Sequence, residues 1–505
     1  MRKFLLCALA AASLFGAAPK KPKLVLALVF DQFRYDYLTR FRGEFTGGFD
    51  TLLTRGAVFS NARYVHFPTV TAVGHSTFLS GALPSLSGIV ANDWYDQEER
   101  AHVTSVSDKS TKLLGGSGGE GASPRRLLVD TVGDELKMAD GGKSHVIGIS
   151  LKDRAAILPA GHMADAAYWF DIGSGVFVSS TYYLADLPAW VKEFNGAHPA
   201  DRYRGLVWLD HKMPSSGADL YRMLEQSPYG NDLLERFAER VLEAEQLGRH
   251  EQTDVLAISF SAHDYVGHAY GPFAPEEREV TLQTDKFLQK LLEAANRQAG
   301  DGNVLVVMTG DHGAAPAPGR SAGWKIPGGH MPGSAVRDAV QAALAARYGA
   351  GDWVLGNWDL LIYLNRDLIA RKKLDLAEVR RVAEQAASAV PHVSRVYTWD
   401  ELHDGRVPGD ATSRMIMNSF NARRSADLAF LPDPYWLFSG GATSHSTTYG
   451  YDTHVPVIFM GPGVRPGRYD GSITVNDIAS TLATMLDVET PSGAAGRVLT
   501  EMLPR

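Results

Sequence analysis

Apolar runs of strand length recur along the chain, and each ends at a polar or glycine-rich turn. Leu24–Phe30 (LVLALVF) ends at Asp31, Val146–Ser150 (VIGIS) ends before Lys152, and Val255–Phe260 (VLAISF) ends before His263 and Asp264. Val304–Thr309 (VLVVMT) ends at Gly310, Asp311 and His312, and Val455–Met460 (VPVIFM) ends at Gly461. Runs of Val, Ile and Leu without polar alternation predict strands buried on both faces, and hence a mostly parallel sheet.

Helical spacing lies between these runs. Leu234, Phe237, Val241 and Ala244 predict a helix over Asp232–Leu247, and Leu282, Phe287, Leu291 and Ala294 predict another over Glu276–Ala295. Ser123 and Pro124, ahead of Leu127, Val132 and Leu136, read as a cap with a first-turn proline. Strands alternating with helices predict a doubly wound α/β fold with helices on both faces of the sheet. Such sheets bind ligands beyond the carboxyl ends of their strands, where this chain keeps its Asp and His residues. Segments 93–145 and 155–230, rich in Gly, Pro, Trp and Tyr, read as insertions over the active face. Residues 365–440 read as a second α/β insertion or cap. Gly115–Gly121 (GGSGGEG) reads as a flexible loop and a poor phosphate cradle, because no strand is predicted to lead into it.

Composition narrows the class. The 505 residues are 45% hydrophobic and 21% charged, which excludes disorder as the main state. The length allows about three domains or one large enzyme with insertions. Lys and Arg total 50 against 57 Asp and Glu, giving a net charge of −7 that excludes a general nucleic-acid coat. Residues 1–18 read as an export signal, with Arg2 and Lys3 before the apolar stretch Leu5–Leu14 and small residues after it. The catalytic region then runs over 20–505. The apolar stretch falls short of the roughly 20 residues that span a bilayer. The mature chain is therefore expected in the periplasm or secreted, with no membrane contact. The single cysteine, Cys7, lies inside the signal, so any metal site must use His, Asp or Glu.

Asp31, Asp264 with His268, Asp311 with His312, and His445 are six such ligands, all near strand ends. Singly, an Asp after a strand reads as a helix cap and a His as a packed core residue. Together they read as a metal site. Oxygen and imidazole ligands without thiolate suit zinc ahead of manganese. The segment His66–Gly81 (HFPTVTAVGHSTFLSG) predicts a helix over Ala72–Leu79 with Thr71 near its start. A helix N-terminus offers free N–H groups to a phosphoryl group. His75 reads as structural.

These residues resemble the alkaline phosphatase superfamily in its type I phosphodiesterase/nucleotide pyrophosphatase branch. Within it they are most similar to the periplasmic, phosphate-irrepressible (PafA-type) alkaline phosphatases. Seven ordered motifs carry the resemblance: VFDQFRYDYL, HFPTVTAVGHSTFLSG, GIVANDWYD, SLKDRAAILPAGH, SAHDYVGHAYGP, TGDHG and ATSHSTTYGYDTHVPVIF. The resemblance implies two zinc ions. Asp264, His268 and His445 would hold one; Asp31, Asp311, His312 and the Thr71 oxygen would hold the other. It implies Thr71, the second Thr of a P-T-x-T segment, as nucleophile through a phosphothreonine intermediate. The separation from Thr71 to Asn92 matches the family's spacing. His445 takes the T-x-H position, in preference to His454.

Lys152 and Arg154, two apart beyond a strand, can reach one anion together, the Arg as a fork. In the PafA-type enzymes this pair, with the Asn, supports hydrolysis of phosphate monoesters, so Asn92, Lys152 and Arg154 are the implied substrate-binding residues. The implied activity is that of a phosphoric monoester hydrolase acting on small phosphate esters. A nucleotide pyrophosphatase/phosphodiesterase on the same metals stays open, as does, more remotely, a catalytically silent zinc-binding surface protein. A sulfatase is disfavoured, since no C/S-x-P-x-R segment is found.

Overall fold

Five parallel strands form the centre of the molecule, which a computed structural model describes over residues 21–504. The predicted export signal and Cys7 lie outside the described residues. The principal strands are β1 (Leu24–Phe30), β2 (Ala57–Arg63), β3 (Val146–Ser150), β4 (Ala166–Asp171), β5 (Val176–Ser180), β6 (Asp254–Phe260), β7 (Val304–Gly310) and β8 (His454–Met460). They lie in the order β2-β8-β7-β1-β6-β3-β4-β5, and short edge strands extend the sheet to 12. Strands β7, β1, β6, β3 and β4 run parallel. β8, predicted as one more parallel strand, pairs antiparallel with both β7 and β2. Its apolar run reports burial on two faces, which an antiparallel strand can share, and says nothing of direction.

Alternate residues of β1 feed two different cores, which is why its sequence is apolar throughout. Leu26, Leu28 and Phe30 face helices α3 (Pro228–Ala244) and α5 (Pro275–Ala299) through Leu234, Phe237, Leu288 and Leu291. Val25, Ala27 and Val29 pack on the other face with Phe78, Leu79, Ile478 and Leu482. The remaining helices that matter here are α1 (Thr71–Ser80), α2 (Asp153–Ala160) and α4 (Ala262–Tyr270). The helix predicted to start after Ser123 starts later. Pro124–Arg126 form one 3-10 turn, and the helix Val132–Asp140 is capped reciprocally by Thr131 and Asp134.

Residues 155–230 contribute β4 and β5 to the central sheet. The GGSGGEG loop does follow a strand, Ser107–Leu114, and turns the chain back into Glu120–Ala122 as a hairpin at the sheet edge. With no helix behind it, it offers no N-terminus to a phosphate. The cap is a four-stranded antiparallel sheet of Val354–Trp358, Leu361–Leu364, Val393–Thr398 and Leu428–Pro432. Helices Ala335–Tyr348 and Leu376–Ser388 pack on it around Ile362, Leu364, Val379 and Phe430. This unit therefore begins well before residue 365. Among the described residues no helix is long and apolar enough to cross a membrane.

The contact of β3 with α2 sets where Lys152 and Arg154 stand. A Cβ at Gly148 would lie 2.0 Å from the Ala156 carbonyl oxygen, so only glycine permits this approach. Gly148→Ala is expected to destabilise the fold by about 1–3 kcal/mol through overpacking. Chemical denaturation measures this, and an unchanged midpoint would contradict the packing described.

Candidate active site

The parallel register brings the chemistry together. Phe30 lies opposite both Phe260 and Gly310, so β1, β6 and β7 end at one level. Asp31, Asp311 and the start of α4 leave the sheet side by side. The ligand atoms of Asp31, Asp311 and His312 all lie within 4.8 Å of one another. His312 Nε2 is 3.6 Å from Asp31 Oδ1 and 3.5 Å from Asp311 Oδ2. All three residues are fully buried, and these three facing atoms have no hydrogen-bond partner among the described residues. An unpaired buried polar atom costs about 1–3 kcal/mol; three that converge, two of them carboxylate oxygens, fit a bound cation. The His312 Nδ1 sits 2.9 Å from the Gly313 carbonyl, to which it donates, leaving Nε2 as the bare ligand atom.

The second cluster is Asp264, His268 and His445, again within 4.8 Å. Asp264 and His268 are one turn apart on α4, and His268 Nε2 lies 3.1 Å from Asp264 Oδ1. His445 comes from the loop before β8, with its Nε2 3.2 Å from His268 Nε2 and 3.8 Å from Asp264 Oδ1. Backbone carbonyls again hold the other nitrogens: Thr443 for His268 at 3.2 Å and Thr69 for His445 at 2.8 Å. The rings of His312 and His445 stack with centroids 3.7 Å apart, so the clusters adjoin.

Lys152 joins them. Its ammonium lies 2.6 Å from Asp31 Oδ2 and 2.5 Å from Asp264 Oδ2. Each carboxylate thus turns one oxygen to its cluster and the other to Lys152. An ammonium has three N–H donors, so one remains. Gln32 ties the same centre from the other side. Its backbone N–H donates to Asp311 Oδ1 at 2.9 Å and its amide to Asp264 Oδ1 at 2.7 Å. Gly267 leaves room for it, since a Cβ there would meet Gln32 Oε1 at 2.0 Å.

The electrostatics are those of a negative pocket. Burial, and then Asp311, push the Asp31 carboxyl up to about 7. Burial opposes ionisation of Asp264 too, but Lys152 and His268 outweigh it and hold that carboxyl well below its usual range. Burial also opposes the Lys152 charge, and Asp264 and Asp31 overcome it, holding its pKa above the ordinary lysine value. His312 is lowered to about 4 by burial, and His445 is lowered by burial and then by His312. Both are neutral at physiological pH, the form that ligates metals.

Thr71 is the first residue of α1 and only 2% exposed. Gly74, one turn on, lets this helix rest on the cluster of Asp31, Asp311 and His312, because a Cβ there would sit 2.3 Å from the Asp311 carbonyl oxygen. His75 acts as a brace, with Nδ1 2.8 Å from the Thr71 carbonyl and Nε2 2.7 Å from Ser259 Oγ. Asn92 Oδ1 accepts from the Ala72 N–H at 2.8 Å, which leaves its Nδ2 as a donor beside the start of the helix. Arg154 stands in the first turn of α2, with its buried Nε lacking a partner among the described residues. Burial works against its charge, but Asp153 and more distant acids keep its pKa above the ordinary value.

The site residues named from sequence fall at this edge of the sheet, on the helices that flank it or, for Asn92 and His445, in loops beside it. His454 does not; it bonds the Ser60 carbonyl at 3.0 Å and stacks on Tyr35. The sequence reading missed Gln32. Gln32 directly follows Asp31 in its motif with φ 59°, a left-handed turn that aims both of its donors inward. Asp210, His211 and Glu276 also cluster, but near the surface, where His211 and Glu276 pair at 3.1 Å and leave no orphaned atom.

A sheet ending in two Asp/His clusters, with a threonine at a helix N-terminus, defines a class, and the sequence agrees. Residues 25–454 match the family described as type I phosphodiesterase/nucleotide pyrophosphatase, and the chain belongs to it. It is 34% identical to alkaline phosphatase PafA of Elizabethkingia meningoseptica, over 100% of this chain and 99% of that protein. It is also 34% identical to alkaline phosphatase PhoV of Synechococcus elongatus, over 97% and 94% of the two. The crystal structure of wild-type PafA superposes with a TM-score of 0.89 at 32% identity, over 96% of this chain and 100% of that one.

If each cluster holds one cation, His312→Ala and His445→Ala will each lower the bound metal to about half of the parent value. Elemental analysis of purified protein reads this directly. Parent-level metal in both variants would show that the clusters are not the sites.

Proposed function

We propose that this chain is an exported alkaline phosphatase that hydrolyses phosphate monoesters through a phosphothreonine at Thr71. The observation that carries this reading is the pair of cations at the start of α2: Lys152 reaches both clusters with one N–H to spare, and Arg154, two residues on, has a buried Nε without a partner among the described residues. The relatives named alkaline phosphatase support the reaction class. The apolar run after Arg2 and Lys3 supports export.

Asp31, Asp311 and His312, with the Thr71 oxygen, would hold one divalent ion, and Asp264, His268 and His445 the other. The donor set suits zinc. Bound there, the ions supply Lewis-acid stabilisation of the entering and leaving oxygens and favour the alkoxide form of a serine or threonine. The rest is the work of side chains. Thr71 Oγ attacks phosphorus as the ester oxygen departs with its electron pair and gains a proton. Water then attacks the phosphothreonine and returns Thr71 as a hydroxyl, with release of inorganic phosphate. The opening turn of α1 turns the positive end of its dipole toward the phosphoryl oxygens. Asn92 adds its Nδ2, Lys152 its remaining N–H and Arg154 its guanidinium. A monoester carries three non-bridging oxygens and about two negative charges, and therefore gains most from this added pair of cations. A diester places a substituent where one of those oxygens would be.

Turnover of p-nitrophenyl phosphate at alkaline pH is expected to exceed that of bis-p-nitrophenyl phosphate; the opposite ranking would favour the diesterase reading. Lys152→Ala combined with Arg154→Ala should lower monoester turnover about a hundredfold or more, from the loss of two charge-assisted contacts. Diester turnover should fall far less. Equal losses on both substrates would assign the pair to the fold alone.

Thr71→Ala should abolish the acid-stable phosphoprotein that forms on brief exposure to substrate and leave only background turnover. Retained turnover in this variant would remove Thr71 as nucleophile.

A further inference from the structure

The cap reaches the active site through one turn. Trp358 and Leu361 are cross-strand partners, so Asp359 and Leu360 form a two-residue hairpin loop between the strands Val354–Trp358 and Leu361–Leu364. Both have positive φ, 49° and 68°. Two-residue loops of this kind favour Asn-Gly or Gly-Gly, because only short or absent side chains tolerate the left-handed region easily. A leucine there is strained. Contacts on both sides hold the turn in place. Leu360 packs against the apolar clusters on either side of the hairpin. The Trp358 ring lies on His102 with centroids 4.7 Å apart.

The outcome of that strain is the position of one carboxylate. Asp359 Oδ2 accepts the backbone N–H of Asn92 at 3.2 Å. Asn92 is thereby gripped at both ends, since its own Oδ1 holds the Ala72 N–H in the first turn of α1. Its carbonyl also accepts from the Ser105 N–H at 2.9 Å. With its main chain and its amide oxygen fixed, the one group of Asn92 left to point at a ligand is Nδ2.

We propose that Asp359 is a positioning residue of the phosphatase site, through which the cap hairpin fixes Asn92 against the N-terminus of α1 and so aims its amide at the phosphoryl group. This rests on the reading of Asn92 given under the proposed function. Asp359 belongs to neither cluster; its side-chain hydrogen bond is to Asn92, and it reaches Arg154 and His268 only through space. An asparagine at 359 keeps an oxygen acceptor and tolerates the left-handed backbone, whereas a glycine keeps the backbone and removes the acceptor.

The test is a double-mutant cycle on kcat/KM for p-nitrophenyl phosphate with Asp359→Gly, Asp359→Asn, Asn92→Ala and the Asp359→Gly/Asn92→Ala pair. Asp359→Gly is expected to lower kcat/KM by about fivefold to tenfold, the worth of one hydrogen bond. Asp359→Asn should restore at least half of the parent value. In the Asn92→Ala background, Asp359→Gly should have no further effect. Thermal melts of all four proteins check that each is folded. A loss of the same factor in both backgrounds would overturn the proposal, as would a parent-level kcat/KM in Asp359→Gly. If Asn92→Ala alone leaves kcat/KM unchanged, the assignment of Asn92 to the phosphoryl group fails, and the role of Asp359 fails with it. An impaired Asn92→Ala with additive Asp359→Gly refutes Asp359 alone.

Discussion

Three carboxylates, from Asp31, Asp264 and Asp311, are buried at the end of the sheet, and a single ammonium, that of Lys152, pairs with two of them. Water cannot solvate them there, and one positive charge cannot balance them. A buried unpaired charge either neutralises by a pKa shift or recruits a partner. Both responses are visible. Asp31 is pushed up to about 7, and Lys152 is drawn onto two carboxylates at once. A centre built this way has affinity for cations before any ligand geometry is considered. The bare Nε2 of His312 and the orphaned oxygens of Asp31 and Asp311 give that affinity a direction.

The surrounding fold exists to hold that charge in register. β1, β6 and β7 are aligned residue for residue, so acids that follow different strands emerge at one height. Two helices then approach as closely as their backbones permit, at Gly74 over Asp311 and at Gly148 under Ala156. Those contacts bring the N-terminus of α1 and the first turn of α2 to the acidic centre. The positive end of a helix dipole and the Lys152 ammonium face the same small volume. The arrangement suits a ligand that is itself an anion. Phosphoryl transfer needs positive charge already in place around the phosphoryl oxygens, which cations in the two clusters would complete.

Much of this was legible in the sequence, and the reason is physical. Leu24–Phe30 and Val146–Ser150 are strands over the residues predicted, because a continuous apolar run is what double-sided burial requires. The acids and histidines at the ends of these runs identified the site edge for the same reason: a buried strand can place polar groups only where it leaves the core. Direction was not legible. β8 has the composition of a parallel strand and runs antiparallel, since apolar content reports burial and not chain sense. Helix starts failed where two caps competed, as Ser123 did with Thr131. Gln32 was not legible either. Its role depends on a left-handed φ of 59° that no residue pattern announces. Asp359 lies farther still from sequence reasoning, because its partner Asn92 is in another unit of the fold.

That last case bears on how one sheet serves both monoesters and diesters in this family. The metal-binding edge arises from strand ends and is fixed by the sheet itself. Lys152 and Arg154 come from the turn after β3, and Asn92 from the loop after α1, so all three can vary without disturbing a core strand. The cap contributes no cluster ligand; its Asp359 grips Asn92 alone. Choice of ester would then lie in the parts least constrained by the core. The capacity for two-metal chemistry would lie in the part most constrained by it. On this account, Arg154 and the cap hairpin bear on how the ester is held, Lys152 couples the ester site to both clusters, and any change of register in β1, β6 or β7 separates the acids.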